Sequence, residues 1–395
     1  MGESETGPAE SLRIALFSGN YNYVRDGANQ ALNRLVGHLE NKVGAAVRVY
    51  SPTVSKPAFE PTGTLISVPS ISIPGRAEYR LALGLPASIK KNIADFKPNI
   101  FHLSAPDILG IKAMKFARSL GVPVVTSLHT RFETYVEHYG LRWIKPAIER
   151  HLHRFYSGSD LILAPTPPIV SELESQGMAG RVKLWGRGVD PLAFNPDFRS
   201  LEWRRERGFA DDDVVILFFG RLVREKGLSL FANVVLELVE RGVVIKPLLI
   251  GDGPDRRLIA AKLQTATFTG HLSGQELGRA VASADIFLNP STTEAFGNVT
   301  LEAMASGLAI VSADVPSASS LISDIQTGVL CPPTDTPAYV DAVGYLVSCP
   351  ERRMMLGKNA YEASKRLTWD STLAVVADAY RELLFQASHS KYKLG

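Results

Sequence analysis

Cysteine is almost missing from this 395-residue chain: Cys331 and Cys349 are the only two. Neither sits in a metal-ligand spacing, and two thiols make no disulfide framework. A disulfide-stapled secreted module is therefore excluded, and a reducing compartment is expected. Long apolar runs are missing as well. None reaches the ~18 residues that a membrane span needs, so a membrane is expected to be met only from its surface. The first ten residues are acidic and polar, unlike a signal peptide. An excess of one charge is also lacking. Against 43 Lys and Arg stand 40 Asp and Glu, leaving +3, too little to mark a nucleic-acid binder. The balance differs between halves: residues 1–200 carry 23 basic against 17 acidic side chains, residues 201–395 carry 20 against 23. The mildly basic first half suits a phosphorylated substrate or an anionic membrane, and equally a solvated surface.

What is present is an ordinary composition, 45% hydrophobic and 21% charged, with material for two domains. Short β-branched runs alternate with helical patterns throughout. Strands are expected at Leu12–Phe17, Val47–Tyr50, Leu65–Val68, Ile100–Leu103, Val122–Ser127, Leu161–Ala164 and Val182–Leu184. A second set is expected at Val214–Phe219, Lys246–Ile250, Ala266–Phe268, Ile286–Asn289, Ala309–Ser312 and Val329–Leu330. Segments such as Ile169–Gln176 and Leu228–Arg241 show helical spacing. The pattern predicts an α/β fold of two Rossmann-like domains with parallel sheets facing across a cleft. The break falls in Gly186–Asp197, which is rich in Gly and Pro. The expected division is 1–187, 188–371 and a final helix, 372–395, crossing back to the first domain. Ligands of such sheets bind beyond the carboxyl ends of the strands.

The most informative segment is Pro290–Gly307, PSTTEAFGNVTLEAMASG. A strand leads into a short loop and then a helix, for which Asn298 is the expected N-cap. The N–H groups of Val299, Thr300 and Leu301 would then be free to hold a diphosphate. Glu302, one turn in, is placed to accept from ribose hydroxyls, and Glu294 from hydroxyls of a sugar. A capped helix with incidental glutamates would show the same bare Glu-x7-Glu spacing. Other strand ends carry candidates too: Phe219–Gly227 offers Arg221 and Lys226, and Gly27 lies in the loop after the first strand. Ser127-Leu128-His129-Thr130 ends another strand and presents His129. The glycines of Ile250–Pro254 serve a turn. His151 and His153 diverge on a helix, so no metal site is expected there. Asp211-Asp212-Asp213 reads as a polar loop.

The segment EAFGNVTLE resembles the Glu-x7-Glu motif of the retaining family-4 glycosyltransferases of the GT-B fold. GRLVREKG from Gly220 is similar to the same family's cationic strand end. The resemblance runs from Ile14 to about Leu384. It implies that Arg221 and Lys226 hold the donor diphosphate and that His129 and Glu294 contact the transferred sugar. Gly27, Phe296, Gly297, Asn298, Val299, Thr300 and Glu302 would line the donor site. It implies no metal and no cofactor. Trp185–Asp190, WGRGVD, and the stretch around His129–Gly140 are similar to bacterial and plastid glycolipid synthases.

These resemblances imply a nucleotide-diphosphate sugar donor, UDP or GDP, and a membrane lipid acceptor. The protein would then sit on the inner face of the cytoplasmic membrane. Tyr135–Tyr156 mixes aromatic and basic residues, which suits either a membrane surface or packing on its own domain. Arg131 or Arg187 would suit an acidic donor sugar. A soluble acceptor, a nucleotide-sugar epimerase and a non-catalytic binder remain as alternatives.

Overall fold

The computed structural model describes residues 11–24, 26–73, 76–129 and 142–392, with residues 73, 76–78, 142 and 390–392 by backbone alone. The first sheet contains β1 (Arg13–Phe17), β2 (Ala46–Ser51), β3 (Thr64–Ser67), β6 (Ile100–Leu103), β7 (Val124–Ser127), β8 (Leu161–Ala164) and β9 (Val182–Leu184). Its order is β3-β2-β1-β6-β7-β8-β9, and all pairings are parallel. The second sheet contains β10 (Val215–Phe219), β11 (Lys246–Ile250), β12 (Thr267–Gly270), β13 (Ile286–Asn289), β14 (Ala309–Ala313) and β15 (Val329–Cys331). Its order is β12-β11-β10-β13-β14-β15, again all parallel. The central strands are buried on both sides, as the apolar runs RIALF and VILFF require.

Each sheet reverses its direction of growth once, between β1 and β6 and between β10 and β13. A crevice opens at such a switch point because the neighbouring crossovers run to opposite faces. The segments after β1, β10 and β13 lie at these switch points, and they carry Gly27, Arg221 with Lys226, and Glu294.

The expected strands all appear in parallel sheets. One element escaped sequence reading: an antiparallel hairpin of β4 (Ser70–Ile73) and β5 (Arg76–Ala82) after β3. Its short, partly exposed strands lack a clean alternation, so periodicity gives no signal. The segment after β9 is also less loose than a Gly- and Pro-rich linker suggests. Val189 and Phe194 are buried with Trp203, and Val189 pairs with Thr368. The final helix, Trp369–Tyr392, packs Leu373, Val376 and Tyr380 into the core around β1, beside Ile14 and Leu35. No helix among the described residues is long and apolar enough to cross a membrane.

Candidate functional site

The helix after β1, Gly27–Asn41, starts at Asp26, whose carboxylate accepts from the Asn29 N–H at 2.8 Å. Burial pushes the Asp26 carboxyl up; the Asn29 and Ala28 N–H groups oppose this, and so do Arg221 and Lys226 from the other sheet. Gly27 also meets the second half of the chain. A Cβ there would lie 2.2 Å from Nδ2 of Asn298, so the two helix N-termini come together across the cleft. Two aligned N-termini concentrate partial positive charge on the space between them.

The helix Asn298–Ala305 corrects the expected cap. Its N-cap is Gly297, in the left-handed region at φ 96°, a conformation that glycine adopts without steric cost. Asn298 is the first helical residue. The N–H groups of Thr300 and Leu301 both turn back to the Gly297 carbonyl, at 3.0 and 3.1 Å. They are not the open donors that the sequence suggested. Among the described residues, no acceptor faces the N–H groups of Asn298 and Val299, so the open pair lies one residue earlier. The Asn298 side chain also keeps a buried, unpartnered Oδ1. The Thr300 hydroxyl accepts from Asn289 Nδ2 at 3.0 Å and so ties the helix to β13.

The cations stand on the loop after β10. Lys226 Nζ meets Glu294 Oε1 at 2.5 Å, with both side chains part-buried. Thr293 Oγ1 donates to the Glu225 carbonyl at 3.2 Å and fastens the same two loops. Arg221 is exposed and donates from Nη1 to Tyr79 Oη on the unforeseen hairpin, 3.1 Å away. Gly251 leaves room for backbone: its Cβ would lie 1.9 Å from the Gly220 carbonyl oxygen. Glu302 lies in a desolvated position that pushes its carboxyl up to about 8, opposed by Arg34. Phe296 is buried, and its ring lies 3.7 Å from where a Cβ on Gly186 would be.

His129 follows β7. Its Nδ1 accepts from Arg187 Nη2 at 2.8 Å and its Nε2 meets Ser127 Oγ at 2.8 Å. Arg187 is only 4% exposed. It donates to the carbonyls of Trp185 and Gly186 and stacks over Trp185, so it is a buried joint rather than a cleft-lining cation. Arg131, Thr130 and most of the aromatic–basic stretch before 142 lie outside the described residues.

Asp211 pairs with Arg205, and Asp213 caps the Ala210 N–H, which commits two members of the acidic triplet to local contacts. Among the described residues, no cluster of three or more metal-ligating side chains occurs. Sequence reading missed Asp26, Arg34 and Tyr79. Only Asp26 left a signal, an N-cap residue before a helical run.

Two parallel sheets whose switch-point loops converge on one cationic, helix-capped cleft form the layout of a GT-B glycosyltransferase. The comparisons agree. Residues 25–191 match the model of "Glycosyltransferase Family 4", and residues 200–363 match "Glycosyl transferases group 1". The chain is 37% identical to sulfoquinovosyl transferase SQD2 of Arabidopsis thaliana over 312 residues, 76% of this chain and 60% of that protein. It is 34% identical to a GDP-mannose-dependent alpha-mannosyltransferase of Mycobacterium tuberculosis, over 71% of this chain and 74% of that one. The fold superposes on sucrose-phosphate synthase from Thermosynechococcus elongatus with a TM-score of 0.77 at 20% identity, covering 95% of this chain and 100% of that chain. The chain belongs to glycosyltransferase family 4, whose members use nucleotide-sugar donors.

Proposed function

We propose that the protein is a retaining hexosyl- or hexuronosyltransferase that moves a sugar from a UDP- or GDP-sugar to a lipid at a membrane surface. The donor lies on the second sheet. Glu302 takes the ribose hydroxyls, the N–H groups of Asn298 and Val299 take the diphosphate, and Glu294 takes the sugar. Arg221 and Lys226 offset the charge that grows on the diphosphate as the anomeric carbon–oxygen bond breaks. The acceptor oxygen forms its bond from the same face, and its proton passes to the departing phosphate oxygen. No carboxylate nucleophile is then required. Closure of Gly27 onto Asn298 excludes water from the reacting atoms.

The observation that carries the lipid acceptor is a groove of about 500 Å³ on the first half of the chain. Its lining brings Lys90, Lys112 and Lys115 together with Leu83, Leu85 and Phe116. Leu83 is 57% exposed. Lysines beside apolar side chains match an anionic lipid surface, and they support the reading of a peripheral protein on the inner leaflet.

The test is a thermal-shift panel of nucleotide sugars, followed by a transfer assay with the best binder. Diacylglycerol-type acceptors would be presented in anionic vesicles beside soluble sugar acceptors. Product on the lipid supports the reading. Transfer only to soluble acceptors overturns the lipid, and an epimer formed from donor alone overturns the transferase.

A further inference from the structure

Five side chains form one hydrogen-bonded chain. It starts at Arg187, in the passage from β9 to the second sheet, and ends at Tyr380, on the helix Trp369–Tyr392 that returns to the first. The proton on each link can be assigned. A guanidinium only donates. Arg187 Nη2, 2.8 Å from His129 Nδ1, therefore fixes that nitrogen as an acceptor without a proton. The one proton of the neutral His129 ring is on Nε2 and points at Ser127 Oγ, 2.8 Å away. Ser127 accepts it and donates its own proton to His102 Nε2 at 2.8 Å. His102 then carries its proton on Nδ1 and donates to Tyr380 Oη. Burial holds both rings neutral: His102 is pushed down to about 3, and His129 falls well below its ordinary value through burial, Arg187 and His102. Trp185 closes the arrangement edge-on, 5.3 Å from His129 and 6.1 Å from His102 between ring centres.

We infer that Arg187 fixes His129 as the neutral Nε2–H tautomer and that Ser127, His102 and Tyr380 are positioning residues that receive and orient that proton, so that His129 meets the donor sugar as a hydrogen-bond donor and never as a base. The inference rests on the transferase reading, in which His129 faces the sugar. Ser127 holds the Nε2 proton while the sugar is absent, and a sugar oxygen placed beside it competes for the same proton. Because Arg187 also grips the Trp185 and Gly186 carbonyls, at 2.9 and 3.0 Å, the ring is referenced to the passage between the sheets.

Nitrogen-15 NMR of histidine-labelled full-length protein reads the tautomers directly. The expected result is opposite tautomers: His129 protonated at Nε2 and His102 at Nδ1, neither ring titrating between roughly pH 5 and 8. A shared tautomer, or a ring that charges in that window, overturns the inference. Tyr380→Phe leaves the His102 Nδ1–H without its acceptor. The His102 signals should then become mixed while His129, still fixed by Arg187, stays protonated at Nε2, and kcat should fall by ~10-fold while donor Kd stays within about twofold. Unchanged His102 signals in this variant also overturn it. The tautomers need no turnover to be seen. An inactive wild-type protein with the expected pattern would sink the transferase reading and leave the proton order standing.

Discussion

Lys226 Nζ lies 2.5 Å from Glu294 Oε1, joining the loop after β10 to the loop after β13. Each charge is paired with the other. In the proposed function the same lysine would be shared with a diphosphate whose charge grows as the sugar leaves, and the pair would preorganise the cation and keep the carboxylate aimed at the sugar.

Removing the cation should cost transition-state stabilisation more than ground-state binding. Lys226→Ala is expected to lower kcat by ~10²-fold or more, with a smaller change in donor KM. Lys226→Arg should keep part of the rate, because the charge survives and the geometry does not. Steady-state kinetics with a saturating acceptor decides this, and near-normal turnover in the alanine variant would remove Lys226 from its role.

Glu302 gives a pH signature. Its carboxyl is pushed up to about 8 in the folded protein, against ~4.3 for a free glutamate. The folded state therefore holds this proton more tightly than the unfolded chain. Stability from this group is fully present below about 4.3 and is lost as the pH rises towards 8. Ribose hydroxyls donate to the ionised form, so donor binding releases a proton below pH 8. Donor Kd should fall as the pH is raised from 6.5 to 8, by up to ~10-fold per unit. Calorimetry in two buffers of different ionisation enthalpy should show the proton release, and Glu302→Gln should abolish it. A donor Kd independent of pH in the wild type would contradict the assignment.

The lysine groove predicts salt-sensitive membrane binding. Each lysine near an anionic surface contributes about 1 kcal/mol, so Lys112→Ala with Lys115→Ala should weaken partitioning to phosphatidylglycerol vesicles by ~30-fold. The effect should shrink as salt rises, and donor binding should be untouched. Vesicle co-sedimentation with the double variant checks this. Equal partitioning of the two proteins would assign the groove to ordinary surface.

The fold was legible because buried parallel strands are continuous apolar runs, and VILFF or IFLN needs no neighbour to be recognised. The second-sheet half of the candidate site was legible for a similar reason: Arg221, Lys226 and Glu294 lie on short strand-end segments, and Glu302 lies one turn into the helix that follows. The details that failed depend on one dihedral angle or on distant partners. Gly297 rather than Asn298 caps its helix because the turn takes a positive φ, which one letter of sequence leaves open. His102 reads as a strand residue and Tyr380 as a helix-core residue. Their contact spans 278 positions and exists only in the folded chain. Tyr79 was hidden by a hairpin with no periodic pattern.

Gly27 and Asn298 provide a test of closure that does not touch the chemistry directly. A Cβ at position 27 would lie 2.2 Å from Asn298 Nδ2, a separation that no packed pair tolerates. Gly27→Ala must therefore displace the half-buried Asn298 side chain or hold the two helix N-termini apart. Overpacking of this kind costs about 1–3 kcal/mol, paid here in the closed state. The expected outcome is a ~10-fold or greater rise in donor KM with little change in melting temperature, because the open state is unaffected. Asn298→Ala removes the obstructing amide and leaves the backbone N–H groups of the diphosphate site in place. Combined with Gly27→Ala, it should recover most of the lost affinity, giving a strongly non-additive double-mutant cycle. Additive effects in that cycle would mean that the two residues do not meet during turnover and that closure runs through other contacts.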